Sequence, residues 1–174
     1  MSEIGPLVEP HIPALRRYAR SLIHDTDAAD DLVQDCLEHA IARWHLRRRD
    51  GNLRGWLFAI LHNLFVSSLR QRSRRGGQVS LDVGQAMPAS GGGQEEQLAV
   101  RDLLTGLQLL PPDQRAVLLL VAVEEMTYAE AAQVLSVPIG TVMSRLSRGR
   151  ESLRQYMETG QPITAKRCKL RRVK

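Results

Sequence analysis

The stretch from Thr127 to Arg154, TYAEAAQVLSVPIGTVMSRLSRGRESLR, leaves this chain few ways to fold, because it reads as two short helices around a tight turn. Thr127 can cap a helix through its hydroxyl while Glu130 reaches back to the cap amide, the reciprocal pattern of a capping box. Ala131, Val134 and Leu135 supply an apolar face, Ser136 to Pro138 the turn, and Ile139, Gly140 and Thr141 the start of a second helix. Val142, Leu146 and Leu153 then face inward. Thr141, Ser144, Arg145 and Arg148 fall at three- and four-residue spacings, so they share a stripe of the kind a helix-turn-helix lays in a DNA major groove. Gly149 predicts close packing of that helix on a neighbour, at a propensity cost of about 1 kcal/mol relative to alanine. Such a hairpin implies duplex DNA and nothing more specific.

The chain has 174 residues and a net charge of +5, which permits two small domains and suits a polyanionic partner. Its first residues, MSEIGPLVEP, lack a basic-then-apolar leader pattern, and the longest apolar run, Ala116 to Val123, is too short to span a bilayer. A cytoplasmic protein without membrane insertion is expected. Cys36 falls on an apolar helix face and Cys168 in a basic tail, so reduced thiols are expected rather than a disulfide framework.

From Arg75 to Glu95 six glycines and one proline interrupt any periodic pattern, which marks a flexible linker. It divides the chain into residues 1–75, a linker at 76–95, a second helical unit at 96–158 and a basic tail at 159–174. In the first unit Ile12, Leu15, Ala19, Leu22 and Ile23 recur at helical spacing, followed by the run from Ala29 to Trp44 and a third run from Leu53 to Leu69. In the second, a helix ending at Leu110 is stopped by Pro111 and Pro112, and another runs from about Asp113 through AVLLLVAV. No alternating strand pattern occurs. The fold class is therefore all-α, two small helical domains on a tether.

The segment from Asp25 to Glu38 is acidic inside a basic protein. Asp27, Asp31 and Asp35 stack at i, i+4 and i+8 with His39 next in line, but ligands in one row on one helix cannot surround an ion, and no second helix offers a matching set. A protein-binding face is favoured over a solvated one. The loop RWHLRRRDGNLR carries cations between Trp44 and Trp56; each tryptophan alone reads as a core anchor, whereas the loop reads as a nucleic-acid contact. Asn63 reads equally as a base-edge contact or as a surface amide. No partnered serine and histidine, no Gly-x-Ser-x-Gly and no phosphate loop occur, so no catalytic residue, metal or cofactor is called for and an enzyme is not expected.

Together the two halves resemble the extracytoplasmic-function (ECF) sigma factors of the sigma-70 family, through DADDLVQDCLEHA, NLRGWLFAILHNLFVSSLR and YAEAAQVLSVPIGTVMSRLSRGRESLR in the family's order. The resemblance implies a transcription initiation factor that binds bacterial core RNA polymerase and directs it to −10 and −35 promoter elements. Asp27, Asp30, Asp31, Gln34 and Asp35 would dock on the polymerase. Arg47, Arg48, Arg49, Asp50, Gly51, Asn52, Trp56 and Asn63 would handle the −10 element, where a flipped base costs a few kcal/mol to unstack. Thr141, Ser144, Arg145 and Arg148 would contact the −35 element, with Arg150 or Arg154 on phosphates or in intramolecular pairs. An anti-sigma partner, promoter DNA and a monomeric free state are further implications. Met143 stands where the family often has lysine, and the tail KRCKLRRVK exceeds what the fold requires. The competing readings are a stand-alone helix-turn-helix transcription regulator and an interaction protein that titrates an anti-sigma factor.

Overall fold

Leu15, Tyr18, Ala19 and Leu22 are buried together on one side of helix α2, Ile12–Leu22, as their i, i+3, i+4, i+7 spacing requires. The computed structural model describes residues 4–23, 25–47, 51–74 and 94–160. A short α1, Gly5–Val8, leads through a 3-10 turn at Glu9–His11 into α2. Helix α3, Thr26–Ala42, starts where the Asp25 carboxylate accepts from the amides of Asp27 and Ala28, a cap that also suits the helix dipole. Helix α4, Leu53–Arg74, is capped by Asn52, whose Oδ1 accepts from the Gly55 amide at 3.0 Å.

These helices close a core around Tyr18 and Phe58, whose ring centroids lie 5.3 Å apart. Cys36 sits in it and donates through Sγ to the Leu57 carbonyl at 3.5 Å. Burial pushes this thiol up to about 12, so it behaves as a small apolar residue; Cys168 lies outside the described residues.

The C-terminal half comprises α5, Gln94–Leu109, α6, Pro112–Leu118, α7, Tyr128–Leu135, and α8, Ile139–Thr159. Helix α5 begins two residues inside the range read as linker, the rest of which lies outside the described residues, as does the tail from 161 onward. The single helix expected through Val123 is not continuous: from Leu119 to Val123 the chain widens into a π-turn, and the Glu124 amide bonds the Leu119 carbonyl at 2.9 Å. The extra residue keeps Leu119 and Leu120 in the core while turning Glu124 inward as well.

The capping box is present as read, with Thr127 and Glu130 satisfying each other's amides. At the far end of α7, Ser136 adopts φ 53° and ψ 45°, and the bonds Val137 N to Ala132 O and Ser136 N to Gln133 O form a Schellman ending with serine in the left-handed position. Gly149 lets α8 press on α6, since a Cβ there would lie 2.9 Å from Leu118 Cδ1. Gly106 does the same for α5, where a Cβ would lie 2.6 Å from Tyr156 Cδ1.

The halves pack together through α4 on α7 and through α2 on α5 and α6. Arg115 of α6 is buried and donates to the Leu22 carbonyl at 3.0 Å and the Leu110 carbonyl at 3.1 Å. It thus satisfies carbonyls near the ends of α2 and α5, where the helix dipoles favour a cation. Among the described residues there is no strand, and no helix is long and apolar enough to cross a membrane.

Candidate nucleic-acid interface

Three surfaces carry the residues singled out by sequence. On α3 the apolar side, Ala29, Leu32, Val33, Cys36 and Ala40, is buried, which forces Asp27, Asp31, Gln34 and Asp35 outward, and all four are exposed. Gln34 donates to Glu38 at 3.1 Å, so Glu38 joins that face. Asp30 departs from it: its carboxylate accepts from Arg20 at 3.0 and 3.2 Å and bridges to α2. The reason is angular, since Asp30 precedes the buried Val33 by three residues and lies toward the helix border.

The second surface lies at the start of α4. Trp44 and Trp56 meet edge to face with centroids 6.1 Å apart, and the Arg47 guanidinium lies over Trp44 at 4.8 Å. Both rings are half-buried against the core, and Trp44 also carries Arg47 on its face. Arg47 donates to the Gly51 carbonyl at 3.4 Å, tying the ends of the loop; Arg48, Arg49 and Asp50 lie outside the described residues. Asn63 is exposed and follows Trp56 by seven residues, so the two share a side of α4, which Arg70, also exposed, extends. Sequence reasoning passed over Arg70 although the same spacing points to it. Asn52 does double service, capping α4 and donating through Nδ2 to Glu130 at 2.9 Å.

The third surface is α8. Val142, Leu146 and Gly149 are buried, so the outermost direction runs through Met143, Ser144, Ser147 and Arg148, which are all exposed. The stripe read from sequence is therefore rotated. Ser144 and Arg148 lie on the outer face, whereas Thr141 and Arg145 sit at its border, and Arg145 Nε meets the Asp113 carboxylate at 3.1 Å. A three- and four-residue spacing fixes neighbours on a helix but not where the centre of the exposed face falls. Ser147 is the position missed, and Met143, noted from sequence only as standing where the family often has lysine, shares its face; the burial of Val142 and Leu146 would have located both. Arg154 is held by Glu151 and Glu158, one of the two roles foreseen for it, while Arg150 is exposed.

The comparisons cover both halves. A family model for the sigma2 domain of PhyR matches residues 8–62, and one for sigma-70 region 4 matches residues 101–153. The chain is 37% identical over 142 residues to the ECF RNA polymerase sigma factor EcfG of Rhodopseudomonas palustris, covering 82% of this chain and 78% of that one. The chain belongs to the ECF sigma factors. Identity to the ECF sigma factor SigE of Mycolicibacterium smegmatis is 32% over 163 residues, 91% of this sigma factor and 63% of that longer protein. Among solved structures, the sigma factor RpoE of Bartonella quintana, in complex with the anti-sigma factor NepR, matches with a TM-score of 0.80 at 32% identity, covering 92% of this chain and all of that one (100%). CnrH, in complex with the cytosolic domain of CnrY, matches with a TM-score of 0.66 at 30% identity, covering 90% and 88%. Because the likeness runs through both halves, the stand-alone regulator is not favoured.

Where the halves of this sigma factor meet, carboxylates of the C-terminal half face cations and amides of the N-terminal half. Glu124, only 2% exposed, accepts from Arg17 at 2.9 Å on each oxygen and from Arg54 at 2.8 Å. Thr127 holds the Glu130 carboxyl below the usual range through backbone and side-chain hydrogen bonds, and Asn52 contributes to the same shift. His62 lies on the buried side of α4 with its Nδ1 3.3 Å from the Tyr18 hydroxyl. Burial, and secondarily the charge of Arg145, pushes its pKa down to about 4, so at neutral pH the ring is uncharged.

Proposed function

We propose that this sigma factor binds core RNA polymerase through α3, reads the −35 element with α8 and handles the −10 element with the loop before α4, under the control of an anti-sigma partner. One observation carries this reading: the single acidic helix face and the outward face of the recognition helix lie on separate halves in the family's order, each built by burial of the opposite side of its own helix. Residues 1–75 would form the polymerase-binding and −10 unit and residues 96–158 the −35 unit, joined by 76–95 and followed by the tail at 159–174.

Asp27, Asp31, Gln34 and Asp35, with Glu38, form the polymerase-facing set; Asp30 supports it from behind through Arg20. Carboxylates in this number gain from basic partners mainly through steering and specificity, since exposed pairs contribute little individually. At the −10 element Arg47, Trp56 and Asn63 act together with Gly51 and Asn52, and Arg48, Arg49 and Asp50 are assigned to the same element from the sequence alone. Cations there hold phosphates while aromatic rings offer stacking surfaces for an extruded base. At the −35 element Ser144 and Arg148 contact the groove centrally, Met143 and Ser147 beside them, and Thr141 and Arg145 from the flank. Promoter opening by such a factor is binding-driven strand separation and uses no catalytic residue, so the protein is not an enzyme. The matched RpoE and CnrH were solved with NepR and the CnrY cytosolic domain, which supports an anti-sigma partner here.

The test is in vitro transcription with purified core polymerase on a promoter library that includes the region upstream of this gene. Transcripts that depend on the added protein support the reading. Stable core binding without transcripts on any template would reduce it to polymerase binding, and absence of core binding would remove it.

A further inference from the structure

Two guanidiniums, Arg17 from α2 and Arg54 from α4, converge on one carboxylate oxygen, Glu124 Oε2, at 2.9 and 2.8 Å. Arg17 also holds Oε1 at 2.9 Å, so its fork is fully used. The carboxylate is buried, yet the two cations are not: their side chains retain 52% and 33% exposure. Two like charges brought this close require an anion between them, and a planar guanidinium fork fits a phosphate as well as it fits a carboxylate. Beside them Asn52 offers an amide donor, again met by a carboxylate of the C-terminal half, Glu130 at 2.9 Å. Three donors of the N-terminal half are thus occupied by two acids supplied from the other half.

We infer that Arg17 and Arg54 form a binding site for a nucleic-acid phosphodiester, and that Glu124 is an internal anion holding this site while the halves are closed. Apart from Asn52, which borders both, the site is distinct from the −10 surface. Arg54 shares the side of α4 with Phe58, over whose ring it lies at 5.3 Å, and Phe65, whereas Trp56 and Asn63 lie on the other side. When α7 leaves α4 and the π-turn leaves α2, the pair loses its counter-charge and takes up a backbone phosphate, with Asn52 free to bond the adjoining nucleotide. The inference rests on the proposed nucleic-acid role of the N-terminal half.

The experiment measures binding of a fluorescein-labelled single-stranded 15-nucleotide DNA to the full chain over a range of salt concentrations. Glu124→Gln is expected to tighten binding about tenfold, the scale of one lost charge-assisted contact, and to steepen the salt dependence by about 1.4 log units per log unit for two phosphate contacts on a single strand. Adding Arg17→Ala and Arg54→Ala should return both to the unsubstituted values. Glu124→Asp, which keeps the charge but shortens the reach, should move affinity in the same direction by less. Unchanged affinity and slope in either substituted chain, with its helical circular dichroism intact, overturns the inference. So does competition by polyglutamate or inorganic phosphate as effective as unlabelled DNA at equal charge, which would make the site one for acidic peptide or free anion. A protein that gains DNA affinity here but drives no transcription would retain this site and lose the proposed function.

Discussion

Arg145 turns its guanidinium to Asp113, 3.1 Å away across the gap between α8 and α6, instead of carrying it to the outer face of the recognition helix. Its side chain is 29% exposed, and it is near enough to His62 to help keep that ring uncharged. An arginine engaged in this way must break an ion pair before it can meet DNA, whereas Arg148 stands free on the exposed side of the same helix.

Arg148→Ala is accordingly expected to weaken binding to a duplex carrying the cognate −35 element by about 1–3 kcal/mol, and Arg145→Ala by less. Fluorescence anisotropy against cognate and scrambled duplexes decides the order. A larger loss from Arg145→Ala, confined to the cognate duplex, would move the groove-facing stripe back to where sequence spacing puts it.

Asp31→Arg combined with Asp35→Arg should abolish capture of core polymerase while leaving duplex binding through α8 unchanged. Asp30→Asn should leave capture nearly intact and cost stability by less than about 1 kcal/mol, because the pair it breaks with Arg20 is partly solvated. Co-purification with core enzyme measures the first, and urea titration the second. Full capture by the doubly charge-reversed chain would take α3 out of the interface.

Gly106→Ala inverts the usual helix preference. Alanine should gain about 1 kcal/mol in an exposed helix interior, but here its Cβ would meet Tyr156 Cδ1 at 2.6 Å and Leu153 Cδ1 at 2.8 Å. Overpacking of that kind costs about 1–3 kcal/mol, so a net loss is expected, visible as a lower urea midpoint with the slope unchanged. A raised midpoint would show that α5 and α8 can move apart at no cost.

The depressed pKa of His62 sets a pH dependence with a definite sign. The folded chain binds fewer protons at this ring than the unfolded chain, so its contribution is complete above the unfolded value near 6.5 and is lost as pH falls toward about 4. The loss across that window is on the order of 3 kcal/mol. Chemical denaturation at a series of pH values, compared with His62→Gln, isolates the effect from that of the carboxylates. Parallel curves for the two proteins would place His62 in a less buried setting.

The helices were legible because each is amphipathic on its own account. Periodicity located α2, α3 and α4, the pair Pro111 and Pro112 marked the end of α5, and the capping box announced α7 before any neighbour was known. These signals are local: an apolar stripe, a missing amide and a side-chain cap act within one or two turns of chain. The same locality placed the exposed acids of α3 and the basic loop beside Trp44 and Trp56, and the order of the three motifs was enough to identify the family.

What the amino-acid order did not disclose depends on groups far apart in sequence. The burial of Glu124 between Arg17 and Arg54 and the reach of Arg115 to the Leu22 carbonyl join the two halves, and the inward turn of Arg145 to Asp113 joins α8 to α6. A charged side chain reads as solvent-facing until a partner is brought to it, because its desolvation is tolerable only once that partner is in place. Sequence alone therefore determined which helices form and which family they serve, while tertiary packing decided which of their charges meet solvent and which meet each other.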